Sequence, residues 1–175
     1  QCAGEISGEV AVLRNIYDDN GRLIAQDDGA GNRQTFDHDI EGRQSTVTDR
    51  NGHTTVFYYD DQGNVTTQTN ALGETTTFTY DDDGNQTSET NPLGHTTRAT
   101  FNAAGDQLTD VDALGNTTTF TYNSRGQELT IEDPLGRLFT NTYDGVGNLT
   151  RIRDPNGNTA STVINVKGLL TQTTD

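Results

Sequence analysis

The sequence predicts an all-β fold of antiparallel β-hairpin repeats with a 21-residue period. Three observations predict it: a periodic aromatic position, a glycine four residues after each such position, and a second glycine column ten residues further on. The periodic position holds Tyr17, Tyr59, Tyr80, Phe101, Tyr122 and Tyr143, with His38 and Ile164 on the same grid. The glycine columns are Gly21, Gly42, Gly63, Gly84, Gly105, Gly126, Gly147 and Gly168, and then Gly31, Gly52, Gly73, Gly94, Gly115, Gly136 and Gly157.

The glycines close predicted turns, because an Asp or Asn stands three residues before each of them. This Asp/Asn-x-x-Gly pattern fits a type I turn, which favours Asp or Asn at its first position and Gly at its fourth. Proline is favoured at the second position, and Pro92, Pro134 and Pro155, the 3 prolines of the chain, all occupy it. The first column begins with Asp18, Asp39, Asp60, Asp81, Asn102, Asn123, Asp144 and Asn165, and the second with Asp28, Asp49, Asn70, Asn91, Asp112, Asp133 and Asp154.

The segments between turns predict strands of about six or seven residues, an ordinary strand length. Residues 76–80 and 118–122 both read Thr-Thr-Phe-Thr-Tyr, which alternates with period two and places aromatic rings on one face and threonines on the other. We expect the aromatic face to be buried. The opposite arm, for example residues 64–69, shows no clean alternation. Short turns between successive strands predict a continuous meander of about fifteen strands that coils as a β-ribbon, solenoid or shell segment.

Composition is consistent with this prediction only when it is read together with the repeat. Of 175 residues only 29% are hydrophobic and the net charge is −15, values that on average favour disorder. The chain however contains 31 threonines and 19 glycines, and β-branched threonine favours strands. The acidic balance argues against a nucleic-acid partner, which requires a basic footprint. No apolar stretch is long enough for a membrane helix, so we predict no membrane insertion.

The repeat also predicts the organisation of the chain. Residues 1–16 miss the glycine columns and are interpreted as a divergent N-terminal segment, either a cap, an edge strand or a connector. Residues 17–163 form seven 21-residue repeats, and residues 164–175 form a partial eighth. Because both ends fall within a repeat, we expect the chain to be a segment of something longer.

The repeat resembles the YD repeat of the Rhs family. The resemblance covers residues 17–175 and is clearest where Tyr143 and Asp144 precede Gly147 and Asn148, in the Asp-Pro-Leu-Gly-Arg-Leu segment at 133–138, and in residues 80–85. It implies a long β-ribbon wound into a hollow shell, used by bacterial Rhs and insecticidal Tc-type toxins to enclose a toxic polypeptide. It also implies kinship with wall-associated proteins and animal teneurins at cell surfaces.

No catalytic, cofactor-binding or metal-binding residue is predicted. The acidic run Asp81, Asp82 and Asp83 has the composition of a calcium loop but lacks the alternating ligands and terminal glutamate of an EF-hand, so we interpret it as turn structure. The histidines follow the repeat geometry: His53 and His95 share one repeat position, and His38 replaces tyrosine on the aromatic column. Cys2 has no partner for an internal disulfide. No nucleophile–base motif surrounds the serines, including Ser7, Ser45, Ser88, Ser124 and Ser161.

These observations predict a non-enzymatic structural module of a secreted or cell-surface protein, located outside the cell or on its surface. Its expected partners are adjacent repeats of the same or neighbouring chains, which includes a homopolymer. One alternative is a subunit of a self-assembling fibre joined head to tail by strand pairing. Another is a module that binds carbohydrate or a receptor through exposed Tyr, Asn and Asp columns. Glycan attachment is a further hypothesis, on the sequons at Asn64, Asn85, Asn116 and Asn148.

Overall fold

The computed structural model describes residues 13–164 and 170–174, with side-chain surroundings up to residue 161. Most of the predicted N-terminal segment, Cys2, and the turn of the partial eighth repeat at Asn165 and Gly168 lie outside the described residues. Every described element is a β-strand, and none of the described residues forms a helix that could cross a membrane.

The chain divides into two compact units, Gln1–Phe78 and Thr79–Asp175. In the first unit, the strands lie next to one another in chain order and each pairs antiparallel with the next. These strands are β1 (Arg14–Tyr17), β2 (Leu23–Asp27), β3 (Arg33–Asp39), β4 (Gln44–Thr48), β5 (Thr54–Tyr59), β6 (Val65–Thr69) and β7 (Thr75–Tyr80), the last of which extends two residues into the second unit. Residues 14–16, the end of the predicted N-terminal segment, therefore belong to the first hairpin.

The second unit continues the same pattern. Its strands are also in chain order, and each described pair is antiparallel. They are β8 (Gln86–Thr90), β9 (Thr96–Phe101), β10 (Gln107–Val111), β11 (Thr117–Tyr122), β12 (Glu128–Glu132), β13 (Leu138–Tyr143), β14 (Leu149–Arg153), β15 (Thr159–Ile164) and β16 (Leu170–Thr174). The predicted all-β fold of antiparallel hairpins on a 21-residue period is confirmed.

The two turn columns join their strands differently. At second-column turns the register is regular, as in the β10–β11 pair, where Val111 lies opposite Thr117. At first-column turns the register slips by one residue next to the aromatic position, for example between Tyr58 and Tyr59 in the β5–β6 pair. An extra residue of this kind is a β-bulge, which bends the strand and increases its twist. The 21-residue repeat therefore contains one regular and one bulged hairpin.

The predicted burial of the aromatic face is wrong in degree. Phe78 and Tyr80 of β7 are half-buried, whereas Thr77 and Thr79, which alternate with them, are exposed, so the alternation is present but neither ring is fully enclosed. Among the described residues only the small side chains of Ala25 and Ser45 are buried, at 5% and 7% exposure. The described strands of each unit follow one another within a sheet, and the aromatic rings that they carry are at most half-buried.

On the exposed face of the sheet, threonine hydroxyls of adjacent strands form hydrogen bonds with one another. Thr100 and Thr109 on adjacent strands lie 2.7 Å apart through their Oγ1 atoms, and Thr121 and Thr130 lie 2.6 Å apart. Cross-strand threonine pairs of this kind stabilise a sheet by about 0.2–1 kcal/mol each. The threonine richness of the sequence thus contributes both strand propensity and hydrogen bonds between strands.

Candidate functional site

The feature that recurs through the described chain is a hydrogen-bonded turn, which we call the turn lock. In the Asp60 turn, the N–H of Gly63 donates to the backbone O of Asp60 over 3.3 Å, and the N–H of Asp60 donates to the O of Asn64 over 3.0 Å. Gly63 has φ of +90°, a left-handed conformation that favours glycine. A type I turn followed by a left-handed residue is a common three-residue hairpin loop, and it confirms the predicted turn type.

The side chain at the first turn position supplies acceptors for N–H groups that the backbone leaves unpaired. The Oδ1 of Asp60 accepts the N–H of Gln62 over 2.9 Å and the N–H of Asn64 over 2.8 Å. This satisfies the N–H of the fourth residue after Asp60, because Gly63 has already taken the backbone oxygen. Aspartate and asparagine are suited to this role, since their short side chains reach their own turn.

The turn lock also contains a partner that the sequence analysis did not identify: the residue immediately after the glycine. Where the turn begins with Asp, this residue is a donor, as when Asn64 Nδ2 donates to Asp60 Oδ2 over 3.0 Å. Where the turn begins with Asn, the partner accepts, as when Asn70 Nδ2 donates to Glu74 over 2.7 Å and Asn102 Nδ2 donates to Asp106 over 3.0 Å. The same Asp–donor pairing occurs in the turns that begin with Asp28, Asp49, Asp81, Asp112, Asp133, Asp144 and Asp154.

These hydrogen bonds favour the ionised carboxylate. The pKa of Asp60 is held below its ordinary value by the side-chain hydrogen bond from Asn64 and then by backbone N–H groups of the turn. The pKa values of Asp81, Asp112 and Asp144 are lowered by the same causes in the same order. Each of these carboxylates is therefore a structural acceptor, and its hydrogen bonds weaken when it takes up a proton.

The four sequons coincide with turn locks. In all four of them the asparagine follows the turn glycine, and its Nδ2, the atom to which an N-linked glycan would attach, donates to the aspartate that begins the turn. The donor–acceptor distances lie between 2.7 and 3.0 Å. In each of these folded turns the carboxylate engages one hydrogen of the amide nitrogen. Glycan attachment at these asparagines remains a prediction.

The turn at Asp39 departs from the pattern, so the predicted type I turn is wrong there. Strands β3 and β4 pair without a bulge as far as Asp39 and Gln44, which leaves a four-residue loop in place of three. The left-handed position consequently moves from Gly42 to Arg43, whose φ is +50°. The N–H of Gly42 donates instead to the Oδ1 of Asp39 over 2.8 Å, and Arg43 forms an ion pair with Asp61 of the following first-column turn.

The aromatic column reaches backwards across the sheet. The hydroxyl of Tyr143 donates to the O of Glu128 over 2.9 Å, fifteen residues earlier. His38, on the same column, bonds through Nε2 to the O of Leu23 over 2.9 Å, again fifteen residues earlier. The hydroxyl of Tyr59 lies 2.7 Å from the Oγ of the buried Ser45. Each polar end is engaged by the strand that precedes it in the sheet, so these bonds connect adjacent strands.

Neighbouring first-column turns are also bridged directly. Gln127 Nε2 donates to the O of Gly147 over 2.6 Å, and Arg125 donates to the O of Gly145 over 2.9 Å. A groove of about 310 Å³ between these turns is lined by residues such as Asn123, Tyr143 and the two donors. The bridging side chains use the groove for contacts between successive repeats.

The histidines and the acidic run that the sequence analysis considered do not come together in one site. His53 and His95 each lie in a second-column turn and contact the first residue of their own turn, Asp49 at 3.1 Å and Asn91 at 3.5 Å. Among Asp81, Asp82 and Asp83, only Asp81 accepts the bonds of the turn lock. Within the described residues no group of three or more His, Cys, Asp or Glu side chains converges as metal ligands would. The chemistry of this site is therefore hydrogen bonding that holds turns and repeats together.

Comparison with known families places this geometry among repeat proteins. The family model described as RHS Repeat matches residues 17–54, 59–96 and 101–138. No curated protein matches the chain.

Solved structures share the fold at low sequence identity. A crystal structure of TcdB2-TccC3-TEV is 18% identical with a TM-score of 0.70 over 93% of this chain, and a crystal structure of TcdB2-TccC3 is 18% identical with a TM-score of 0.69 over 92%. A Tc holotoxin pore from Photorhabdus luminescens is 18% identical with a TM-score of 0.68 over 89%. In each case this chain spans 10% of the other chain's length.

Proposed function

Because the chain belongs to the RHS repeat family, we propose that it is a non-enzymatic structural module of a secreted or cell-surface YD/Rhs-type protein, such as a shell, stalk or wall-associated segment. The observation that carries the proposal is the recurrence of the turn lock. The same set of bonds, from a first-position side chain to the N–H groups of its turn, recurs from the Asp18 turn to the Asp154 turn, with one irregular turn at Asp39. In a repeated scaffold of this kind the polar side chains fix the backbone of the turns and are not available as reactive groups.

The distribution of polar side chains supports a structural role. Asp and Asn at the first turn position accept backbone N–H groups, and the residue after the glycine is paired with them. Perturbed carboxylates at enzyme sites usually combine burial with a neighbouring charge. Here the lowered pKa values of Asp60 and Asp81 come chiefly from hydrogen bonds within their own turns at the surface.

An extracellular or cell-surface location is part of the proposal. Strands whose aromatic residues are only half-buried require protection from aggregation, and the net charge of −15 supplies self-repulsion. Partners are proposed to be further repeats of the same kind, in the same chain or a neighbouring one. This is consistent with the side-chain bridges between successive first-column turns, such as that from Gln127 to Gly147.

Cryo-electron microscopy of the native material tests the proposal. We expect the repeats to be seen as part of the wall of a closed particle or of a stalk, with continuous antiparallel pairing. Filaments in which strand pairing passes from one chain to the next would instead support the fibre alternative. Catalytic turnover by the purified chain, abolished by substitution of a residue outside the turn locks, would contradict the non-enzymatic assignment.

A further inference from the structure

Some of the turns carry an Asn-Gly pair at their third and fourth positions, a dipeptide with a chemistry of its own. These pairs are Asn20–Gly21, Asn51–Gly52 and Asn156–Gly157, in the turns that begin with Asp18, Asp49 and Asp154. All of these asparagines are exposed to solvent. Because glycine has no side chain to shield its backbone nitrogen, that nitrogen can attack the side-chain amide carbon of a preceding asparagine. Asn-Gly pairs are therefore the positions at which a chain most readily loses ammonia from a side chain.

The reaction needs no reagent other than water. The glycine nitrogen forms a bond to Cγ of the asparagine and gives up its proton, while the Cγ–Nδ2 bond breaks and that nitrogen leaves as ammonia. The cyclic succinimide that results then takes up water at either of its carbonyl carbons. One opening gives aspartate with the original backbone. The other gives isoaspartate, in which the main chain runs through the Cβ atom.

In the folded turn the glycine nitrogen is directed away from this reaction. The N–H of Gly52 donates to the backbone O of Asp49 over 3.0 Å, and the N–H of Asn51 donates to the Oδ1 of Asp49 over 2.8 Å. These bonds fix the third residue of a type I turn, where ψ is about 0°. Ring closure requires ψ to rotate far from this value, so that the glycine nitrogen faces Cγ. The corresponding bonds measure 3.0 and 2.9 Å in both the Asp18 and the Asp154 turns.

We propose that Asn20, Asn51 and Asn156 are deamidation sites gated by the turn lock, so that ammonia is lost only from a turn that has opened. Hairpin turns open and close much faster than a succinimide forms. The rate of deamidation therefore follows the fraction of time for which the turn is open. The carboxylate that begins each turn protects the asparagine two residues later.

The products differ in what the turn tolerates. Aspartate is compatible with the third position, because Asp83 occupies it in the Asp81 turn and donates its backbone N–H to the Oδ1 of Asp81 over 3.1 Å. Isoaspartate lengthens the main chain by a carbon atom, so the glycine no longer stands at the fourth position of the turn. We expect the aspartate product to re-form the turn lock and the isoaspartate product to leave it broken.

Peptide mapping by mass spectrometry, after incubation at mildly alkaline pH, measures deamidation at each asparagine separately. Labelling with an isoaspartyl methyltransferase distinguishes isoaspartate from aspartate. In the unmodified chain each of the proposed sites should react roughly tenfold or more slowly in buffer than in urea, because urea opens the turns. Gln62, which precedes Gly63 at the same turn position, is the internal control, since the larger ring that glutamine must close forms slowly in either solvent.

Substitutions at Asp49 test the role of the carboxylate. Asp49→Ala removes the acceptor and should raise the rate at Asn51 by roughly five- to thirtyfold. Asn156, which lies in the other unit, should keep its rate and so shows that the second unit remains folded. The matched control Asp49→Asn keeps an acceptor oxygen and recreates the natural turn of Asn91 and His95, in which Asn91 Oδ1 accepts the N–H of His95 over 3.0 Å. It should leave the rate at Asn51 close to that of the unmodified chain.

Equal rates in buffer and in urea would overturn the proposal, because the folded turn would then give no protection. An unchanged rate at Asn51 in Asp49→Ala would overturn it as well, and so would an Asp49→Asn rate as high as that of Asp49→Ala. If Asp49→Ala unfolds the first unit, Asn20 accelerates together with Asn51. The comparison of buffer with urea and the Asp49→Asn variant then decide the outcome.

Discussion

Asn64 and Asp60 hold their hairpin together through both oxygens of one carboxylate. Asn64 donates its side-chain amide to Oδ2 over 3.0 Å, while its backbone N–H donates to Oδ1 over 2.8 Å. Residues four apart across a turn are thus bound as a complementary pair. The reversed pair, with Asn70 donating to Glu74, obeys the same rule with donor and acceptor exchanged.

Reversing one member of such a pair should destabilise the hairpin, and reversing both should restore it. In Asn70→Asp, the new carboxylate faces the carboxylate of Glu74, and we expect a loss of about 1 kcal/mol from the hydrogen bond and added repulsion. Glu74→Asn alone leaves two amides, which can still pair, and should be nearly neutral. The double variant recreates the Asp60–Asn64 pair and should recover stability. A double-mutant cycle from urea unfolding measures the coupling, and strictly additive effects would contradict the pairing rule.

The sequence predicts a large part of this architecture because the turn chemistry is local. The spacing of Asp or Asn to Gly predicts the turns, and the alternation in residues 76–80 predicts which face carries the rings. The donor–acceptor partner after the glycine was detectable in the sequence, since Asn, Arg or His follows the glycine of each Asp turn, whereas Glu, Asp and Gln occur after the glycine only in Asn turns. It was missed because the turn rules consider only the four residues of the turn.

The differences arise from tertiary geometry that local rules do not contain. Asp39 and Gly42 have the same spacing as every other turn, yet the unbulged register of β3 and β4 moves the left-handed position to Arg43. The half-buried state of Phe78 and Tyr80 has a similar origin. Alternation predicts which face is apolar, whereas the extent of burial depends on what packs against that face.

Acid should destabilise the chain by protonating the carboxylates of the turn lock and weakening the hydrogen bonds that they accept. The pKa values of Asp60, Asp81, Asp112 and Asp144 are lowered in the folded state, so their contribution to stability is complete above the ordinary aspartate pKa of 3.8. That contribution is lost as pH falls below this value and through the lowered pKa, because the unfolded chain then binds more protons.

Thermal melting followed by circular dichroism between about pH 7 and pH 2.5 measures this effect. The matched variant carries Asn at the same four positions, where the amide oxygen still accepts the backbone N–H groups and does not titrate. We expect its melting temperature to fall less steeply with acid than that of the unmodified chain. Identical acid profiles for the two proteins would show that other groups control the acid response.

The hydroxyl of Tyr143 should contribute measurably to stability through its bond to the O of Glu128. Tyr143→Phe removes the donor in a half-buried position, and we expect a loss of about 1 kcal/mol. Tyr17→Phe is the control, because Tyr17 is 54% exposed and its hydroxyl accepts a hydrogen bond from the exposed Asn15, so its removal should be nearly neutral. Equal effects of the two substitutions in urea unfolding would contradict a specific cross-strand role.

The fifteen-residue offset also predicts a gain of stability. Phe101 occupies the tyrosine position, and the residue fifteen places earlier is Gln86 on β8. Phe101→Tyr should place a hydroxyl close to the O of Gln86 and stabilise the second unit by up to about 1 kcal/mol. Hydrogen exchange that slows in the β8–β9 hairpin would locate the effect. Destabilisation by this substitution would mean that the aromatic position of that repeat has no room for the hydroxyl.

The position of the left-handed residue should determine whether exchanging glycine with another residue raises or lowers the free energy of unfolding. Gly63 has φ of +90° and open space where a Cβ would lie, so Gly63→Ala suffers only backbone strain and should cost about 1–2 kcal/mol.

Arg43 has φ of +50°, and Arg43→Gly relieves that conformation. The experiment is best done with Asp61→Asn as the background, because this removes the exposed ion pair first. Against that background Arg43→Gly should raise the free energy of unfolding by about 0.5–1 kcal/mol, whereas a decrease would show that Arg43 stabilises its loop through contacts other than Asp61.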